Sequence, residues 1–353
     1  MKSKIRIGFV GVGTMGQCAH LRNYAAIPDC EVVALAEPLE NRASEVASHY
    51  GIPRVYANHN EMLAAEKLDG IVASQPFERH GVLMQDLLKA GIPILTEKPL
   101  AGSVEVGEKI LRQLAESGSW HMLGYHKRSD PATIWAKEQI EHFKESGEIG
   151  KLSYIRLVMP PGDWIANGFL ELITGQNDVA PSNLEWDPAS PDMDPPTAKA
   201  YEIFVNYYIH QVNLLRHLLG ESYRVTFADK AGKLLVAESL SGVTATIEMN
   251  PYTTTVDWQE SALIAFERGY VKLELPAPLA YTRCGRVEVL RDPGNGITPM
   301  KSSPILPKVH AMRQQAITFI NAIKGEAKPP CGAAEALEDL KIAREYIRLW
   351  TGK

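Results

Sequence analysis

The 353-residue chain has no apolar run near the ~20 residues that span a bilayer, which sets aside a helical membrane protein. It is poor in cysteine: Cys18, Cys30, Cys284 and Cys331 stand far apart, with no C-x-x-C spacing. That pattern excludes a disulfide framework and a zinc knuckle and reads as free thiols in a reducing compartment, so no metal is expected. Charge of one sign is also missing. The 37 basic and 42 acidic residues leave a net charge of -5, without the basic excess that a nucleic-acid footprint needs. There is no internal repeat and no low-complexity tract. The N-terminal apolar segment ends at glycines and has no small-residue cleavage site, so it reads as part of a domain and not as a signal peptide. A cytoplasmic protein is expected.

What is present is alternation. "IRIGFV", "EVVALAE", "LDGIVAS", "IPILTE" and "SWHMLGY" are short, apolar and β-branched, and helical runs separate them: 14–27, 39–49, 79–90 and 103–117. Strands buried on both faces lose the two-residue alternation, and helical crossovers between them predict a parallel sheet covered on both sides. The rhythm changes after Tyr125. A helix over 132–145 is followed by the strand "KLSYIRLVM". A long polar stretch, 160–200, comes next; a loop of that length is functional or disordered. The apolar run "KAYEIFVNYYIHQVNLLRHLLG" predicts one helix closed by Gly220, and residues 222–291 predict consecutive strands joined by glycine turns. The fold class is therefore α/β: a doubly wound Rossmann domain over 1–125, then a second α/β domain over 126–353 with an open, mostly antiparallel sheet. The C-terminal helices are free to pack back on the first domain.

The turn "GVGTMG" follows the first strand and opens the first helix. Gly11, Gly13 and Gly16 match G-x-G-x-x-G. The first glycine permits the turn, the second lets the backbone approach a pyrophosphate, and the third lets helix and strand pack. The helix start at Thr14 and Met15 then faces the anion. An ordinary strand-to-helix turn is the alternative, and the strand-turn-helix context argues against it. The second strand ends at Glu37, placed to accept hydrogen bonds from the adenosine ribose and to repel a 2′-phosphate. NAD is thus expected over NADP, with Arg42 one turn later as the residue able to offset that preference.

"TEKPLA" closes the fifth strand, and in a doubly wound sheet ligands gather at the carboxyl ends of the strands. With this turn, the Ser74-Gln75-Pro76 turn followed by His80, "GYHKRSDP", and the helix carrying His210, the sequence resembles the Gfo/Idh/MocA oxidoreductase family along essentially its whole length. The resemblance implies that Ser74, Gln75, Pro76, His80, Glu97 and Lys98 join the glycine turn around NAD. It also implies an active site between the domains, and a homodimer or homotetramer built through the C-terminal sheet. Lys98 and His210 match the positions that touch the hydroxyl being oxidised.

The helix departs from the family's D-x-x-x-H-x-x-D pattern. Asn206 and Asn213 replace both carboxylates. On a single helix, Asn206, His210, Asn213 and His217 would share one face. A structural hydrogen-bond network is the alternative to a catalytic stripe. His126 and Arg128 are expected to contact substrate, with an exposed basic hinge as the alternative, and Asn213 is expected to hold a neighbouring substrate hydroxyl. Asp163 and Trp164 open the long loop, where the indole would stack on a sugar ring or simply anchor the loop. The expected chemistry is NAD-dependent oxidation of a secondary hydroxyl of a sugar, glycoside or cyclic polyol. His210 would act as base, Lys98 as hydrogen-bond donor to the oxygen, and Asn206 as the partner of His210. "GYHKRSDP" and the amide-for-acid helix are similar to members that oxidise glycosides at ring C3. Two alternatives are an NAD-retaining glycosidase that works by transient oxidation and a non-catalytic NAD-binding regulator.

Overall fold

The computed structural model describes residues 3–353 except positions 180 and 183, two positions of the long loop. Six strands, β1 (Ile5–Val10), β2 (Cys30–Ala36), β3 (Val55–Tyr56), β4 (Gly70–Ala73), β5 (Ile94–Thr96) and β6 (His121–Leu123), form one sheet in the order β3-β2-β1-β4-β5-β6. Every pair is parallel. Helices connect the strands, among them α1 (Arg22–Ala25), α2 (Glu40–Tyr50), α3 (His59–Ala65), α4 (His80–Leu87) and α5 (Val104–Ser117). β4 is buried at every position, which is what a central parallel strand with both faces covered requires. The first helix differs from the expected regular one: its turns over Gly16–Leu21 are wound as a π-helix before α1.

The second sheet has eight strands: β7 (Leu152–Met159), β8 (Tyr223–Ala228), β9 (Leu234–Ser239), β10 (Thr244–Met249), β11 (Glu260–Phe266), β12 (Gly269–Leu275), β13 (Arg286–Arg291) and β14 (Met300–Ser302). Their order is β14-β13-β12-β11-β7-β10-β9-β8. Only β7 and β10 pair in parallel; the other pairs are antiparallel. Buried positions alternate with more exposed ones along β11, the pattern of a sheet with one covered face. The helices here include α6 (Pro131–Ser146), whose first turn is capped by the Asp130 side chain accepting from the Ala132 N–H, with Pro131 pre-set for the helix start. α7 (Pro195–Tyr207) and α8 (Ile209–Leu219) also belong to this part of the sequence; α9 (Ala311–Ile323) and α10 (Ala333–Thr351) end the chain.

The chain divides into two compact units, and their membership differs from a single cut after Tyr125. The first holds Met1–Tyr125, Phe169–Ala198 and Gln315–Leu340; the second holds His126–Gly168, Lys199–Gln314 and Lys341–Lys353. Segments that the sequence reading assigned to 126–353 thus belong to the first unit. The reason is packing. Phe319 is fully buried against Tyr24 and Trp120, with ring centroids 6.3 and 5.5 Å away, and Tyr24 meets Phe9 at 5.5 Å. Within the long loop, the Asp187 carboxylate accepts from the Gly81 N–H at 2.6 Å, and the Asp187 N–H donates to the Glu78 carbonyl. Among the described residues no helix is long and apolar enough to cross a membrane.

Candidate active site

In the first unit the glycine turn has the shape of an anion cradle. Gly11 has φ +86°, and a Cβ there would stand 2.4 Å from the Ser74 carbonyl oxygen, so this turn requires glycine. The same Cβ would stand 2.5 Å from the Gln75 side-chain nitrogen, which brings the Ser74-Gln75-Pro76 turn against the glycine turn. A Cβ on Gly16 would lie 2.6 Å from the Gly11 carbonyl oxygen, so the helix start and the turn pack backbone to backbone. Around Gly13 there is only open space. Thr14 is exposed and Met15 half-buried beside it. A floor of backbone with free space above its middle glycine fits a pyrophosphate.

Glu37 is almost fully buried. Its carboxylate accepts from the Val12 N–H at 3.0 Å and the Leu39 N–H at 3.2 Å, which fixes it at the end of β2 beside the turn. Arg42 Nη1 stands 4.0 Å from it. The Arg42 side chain also donates through Nε to the Thr174 carbonyl at 3.2 Å, so it is engaged within the protein.

Lys98 leaves the end of β5 half-buried, and the Lys98–Pro99 peptide is cis. Glu97 joins this exit to the first helix: its carboxylate is 2.7 Å from His20 Nε2 and accepts from the Lys98 N–H at 3.2 Å. His80 is fully buried, with Nδ1 3.2 Å from the Leu100 carbonyl; burial lowers its pKa. It braces the backbone beyond Pro99 from below.

The second unit gathers a different set. The helix expected to be continuous over 199–220 is broken at Tyr208 into α7 and α8. Around the break the Tyr208 carbonyl accepts from both the Gln211 and the Val212 N–H. Asn206 and His210 therefore stand on either side of this interruption. Asn206 is exposed, His210 half-buried and Asn213 buried. Burial, with Arg128 and Lys137 nearby, lowers the His217 pKa to about 3.

His126, Lys127 and Arg128 occupy a short helical turn and are all buried, which corrects the picture of an exposed basic hinge. Arg128 Nε donates to Asn213 Oδ1 at 2.6 Å, and its Nη2 reaches the Asn213 carbonyl at 3.4 Å. The two residues expected to hold substrate hydroxyls thus hold each other. The rings of His126 and His210 meet edge to face, centroids 4.7 Å apart. Asp163 Oδ1 accepts from the Ile165 and Ala166 N–H groups, forming a local turn. Trp164 is exposed, and its carbonyl accepts from the Leu279 N–H at 3.1 Å.

Sequence reasoning missed the buried ion pair of Lys127 and Glu260. Glu260 also accepts from Gln211 Nε2 at 2.8 Å and from Trp258 Nε1 at 3.2 Å. A small cavity is lined by His126, Lys127, Asp130, Glu260 and His310. The Asp130 carboxyl is pushed up to about 6 by burial, although it accepts from the Ala132 and Gly285 N–H groups. Lys127 and Gln211 flank His126, Arg128 and His210 in sequence, but Glu260 lies 133 positions from Lys127, and no local pattern joins them.

The family model for the oxidoreductase family with an NAD-binding Rossmann fold, GFO_IDH_MocA, matches residues 5–125. The chain is 26% identical over 240 residues to scyllo-inositol 2-dehydrogenase (NAD(+)) of Bacillus subtilis (strain 168), spanning 67% of this chain and 59% of that protein. In its leading matches the chain spans about six tenths of the relatives' own length, 59% and 60%. It is 24% identical to inositol 2-dehydrogenase of Rhizobium meliloti (strain 1021) over 98% of this chain and 96% of that one. Its fold is similar to that of levoglucosan dehydrogenase solved with NADH and levoglucosan, with TM-score 0.73, 17% identity, and 99% and 98% of the two chains covered. Residues 5–125 of this chain thus match the NAD-binding Rossmann part of the Gfo/Idh/MocA oxidoreductase family.

Proposed function

We propose that the chain is an NAD-dependent dehydrogenase that oxidises a secondary hydroxyl of a cyclic polyol, sugar or glycoside. The observation that carries this reading is the tie between the glycine-turn helix and the β5 exit. His20 and Glu97, 2.7 Å apart, hold Lys98 at the carboxyl end of the sheet that binds the coenzyme. The relatives named for inositol and levoglucosan support a substrate rich in ring hydroxyls. Oxidation at ring C3 of a glycoside is the finer form of the proposal.

Bound NAD supplies the hydride acceptor. The chain supplies the proton chemistry and the positioning. His210 takes the hydroxyl proton, because the free nitrogen of a neutral imidazole can accept it as a general base. The edge of the His126 ring packed against it restricts its orientation. Lys98 donates a hydrogen bond to the substrate oxygen and stabilises the negative charge that develops as the proton leaves. Asn206, exposed on α7, orients the substrate or His210 from the other side of the helix break. His126, Trp164 and Asp163 are the proposed substrate contacts, and Arg128 and Asn213 act behind them as a buried pair. Copies of the chain associate through the eight-stranded sheet, which sedimentation would test.

The deciding experiment follows NAD reduction against inositols, free sugars and glycosides in parallel. Turnover with an inositol or sugar supports the reading. Product release from a glycoside without NADH accumulation would point to the retained-NAD glycosidase instead. No turnover on the whole panel, with NAD bound, would point to the regulator.

A further inference from the structure

The segment 173–178 of the long loop is fastened to the coenzyme-binding elements of its own unit. Gln17, fully buried in the first helix, pairs with Ile173 in both directions. Its Nε2 donates to the Ile173 carbonyl at 2.8 Å, and its Oε1 accepts the Ile173 N–H at 3.1 Å. Further along, Arg42 Nε donates to the Thr174 carbonyl and Asn41 Nδ2 to the Gln176 carbonyl. The Asp178 carboxylate then accepts the first-turn N–H groups of α2, from Asn41 at 3.0 Å and from Arg42 at 2.9 Å. Gly175 makes the approach possible. A Cβ there would stand 2.6 Å from the Arg42 nitrogen and 2.2 Å from Asp178 Oδ2, and its φ is +74°.

α2 follows the strand whose end carries Glu37. In a Rossmann fold this is where a coenzyme's extra 2′-phosphate would be received, by an arginine and by N–H groups of a helix start. Here those donors are already used. The Leu39 N–H goes to Glu37, the Asn41 and Arg42 N–H groups go to Asp178, and the Arg42 side chain is drawn to Thr174. We propose that Asp178 is a second coenzyme-selectivity residue: its carboxylate takes the α2 N–H pair and sets a negative charge where a 2′-phosphate would have to come. Selection of NAD is thus written in the loop after β7 as well as at the end of β2. The proposal rests on the Rossmann unit binding NAD.

The test measures dissociation constants of NAD and NADP by protein fluorescence, with no turnover required. The proteins compared are wild type, Asp178→Asn and Asp178→Ala. Wild type should bind NAD more tightly. Removing one like charge near a phosphate should tighten NADP by about tenfold and leave NAD within about threefold. Asp178→Asn keeps the size and an acceptor oxygen, so it guards against a collapse of the loop in Asp178→Ala; melting curves confirm that both fold. An unchanged NADP-to-NAD ratio in both variants would overturn the proposal. So would equal weakening of both coenzymes, which would mark Asp178 as a structural cap only. A wild type that binds neither coenzyme would overturn the NAD reading itself and the proposal with it.

Discussion

Arg128 and Asn213, 85 positions apart in sequence, are joined by a 2.6 Å hydrogen bond from guanidinium to amide, with both residues buried. Asn213→Ala would leave a buried guanidinium short of an acceptor, and such a group costs about 1–3 kcal/mol. Urea unfolding should show that loss. If Asn213 instead served only to hold a substrate hydroxyl, the variant would keep wild-type stability and raise KM alone.

Lys98→Ala should lower kcat by about 10²–10³-fold, the usual effect of removing a donor to a developing oxyanion. NAD affinity, read by fluorescence, should stay near wild type. Wild-type turnover in this variant would remove Lys98 from the chemistry.

His121 gives stability a defined pH dependence. It is buried with Nε2 2.8 Å from Thr96 Oγ1, and burial, reinforced by His80, lowers its pKa from 6.5 to about 3. Between those values the unfolded chain binds a proton that the folded chain refuses. Its effect on stability is therefore absent above pH 6.5 and grows as pH falls toward 3, at about 1.4 kcal/mol per pH unit. His121→Gln should shrink the stability lost between about pH 6.5 and pH 5 by about 2 kcal/mol. Asp130 works in the opposite sense: raised from 3.8 to about 6, it favours folding below its unfolded pKa, and that contribution is lost as pH rises through 6. An unchanged acid slope in His121→Gln would show that His121 is protonated in the folded state.

Asn206→Asp should move the acid limb of the kcat/KM profile to higher pH. A carboxylate favours imidazolium, which raises the pKa of His210, so the base is lost earlier as pH falls. A stationary limb, with His210→Ala inactive, would mean that the break at Tyr208 keeps the two side chains apart.

Phe319→Ala should cost about 3–5 kcal/mol, because a fully buried ring is removed from between Tyr24 and Trp120. Chemical denaturation measures it. A loss under about 1 kcal/mol would mean that α9 contributes little to the core of the first unit.

The parallel sheet, the glycine turn and the acid after β2 were all legible in the chain, because each depends on neighbours. Burial on both faces shows as an unbroken apolar run, and a turn with φ of +86° demands glycine at Gly11 whatever surrounds it. The break at Tyr208 was hidden because the apolar run "KAYEIFVNYYIHQVNLLRHLLG" suits a helix on both sides of it and has no glycine or proline before its closing Gly220 to mark a stop. Local signals also say nothing about partners far apart in sequence. Arg128 and Asn213 neutralise each other's polarity in a buried place, and Lys127 finds Glu260 across 133 positions. Asp178 reaches α2 across 136 positions from Arg42. The sequence by itself determined where backbone conformation and burial period must fall. Only the tertiary structure decided which buried polar groups satisfy one another, because that depends on distances the folded chain creates.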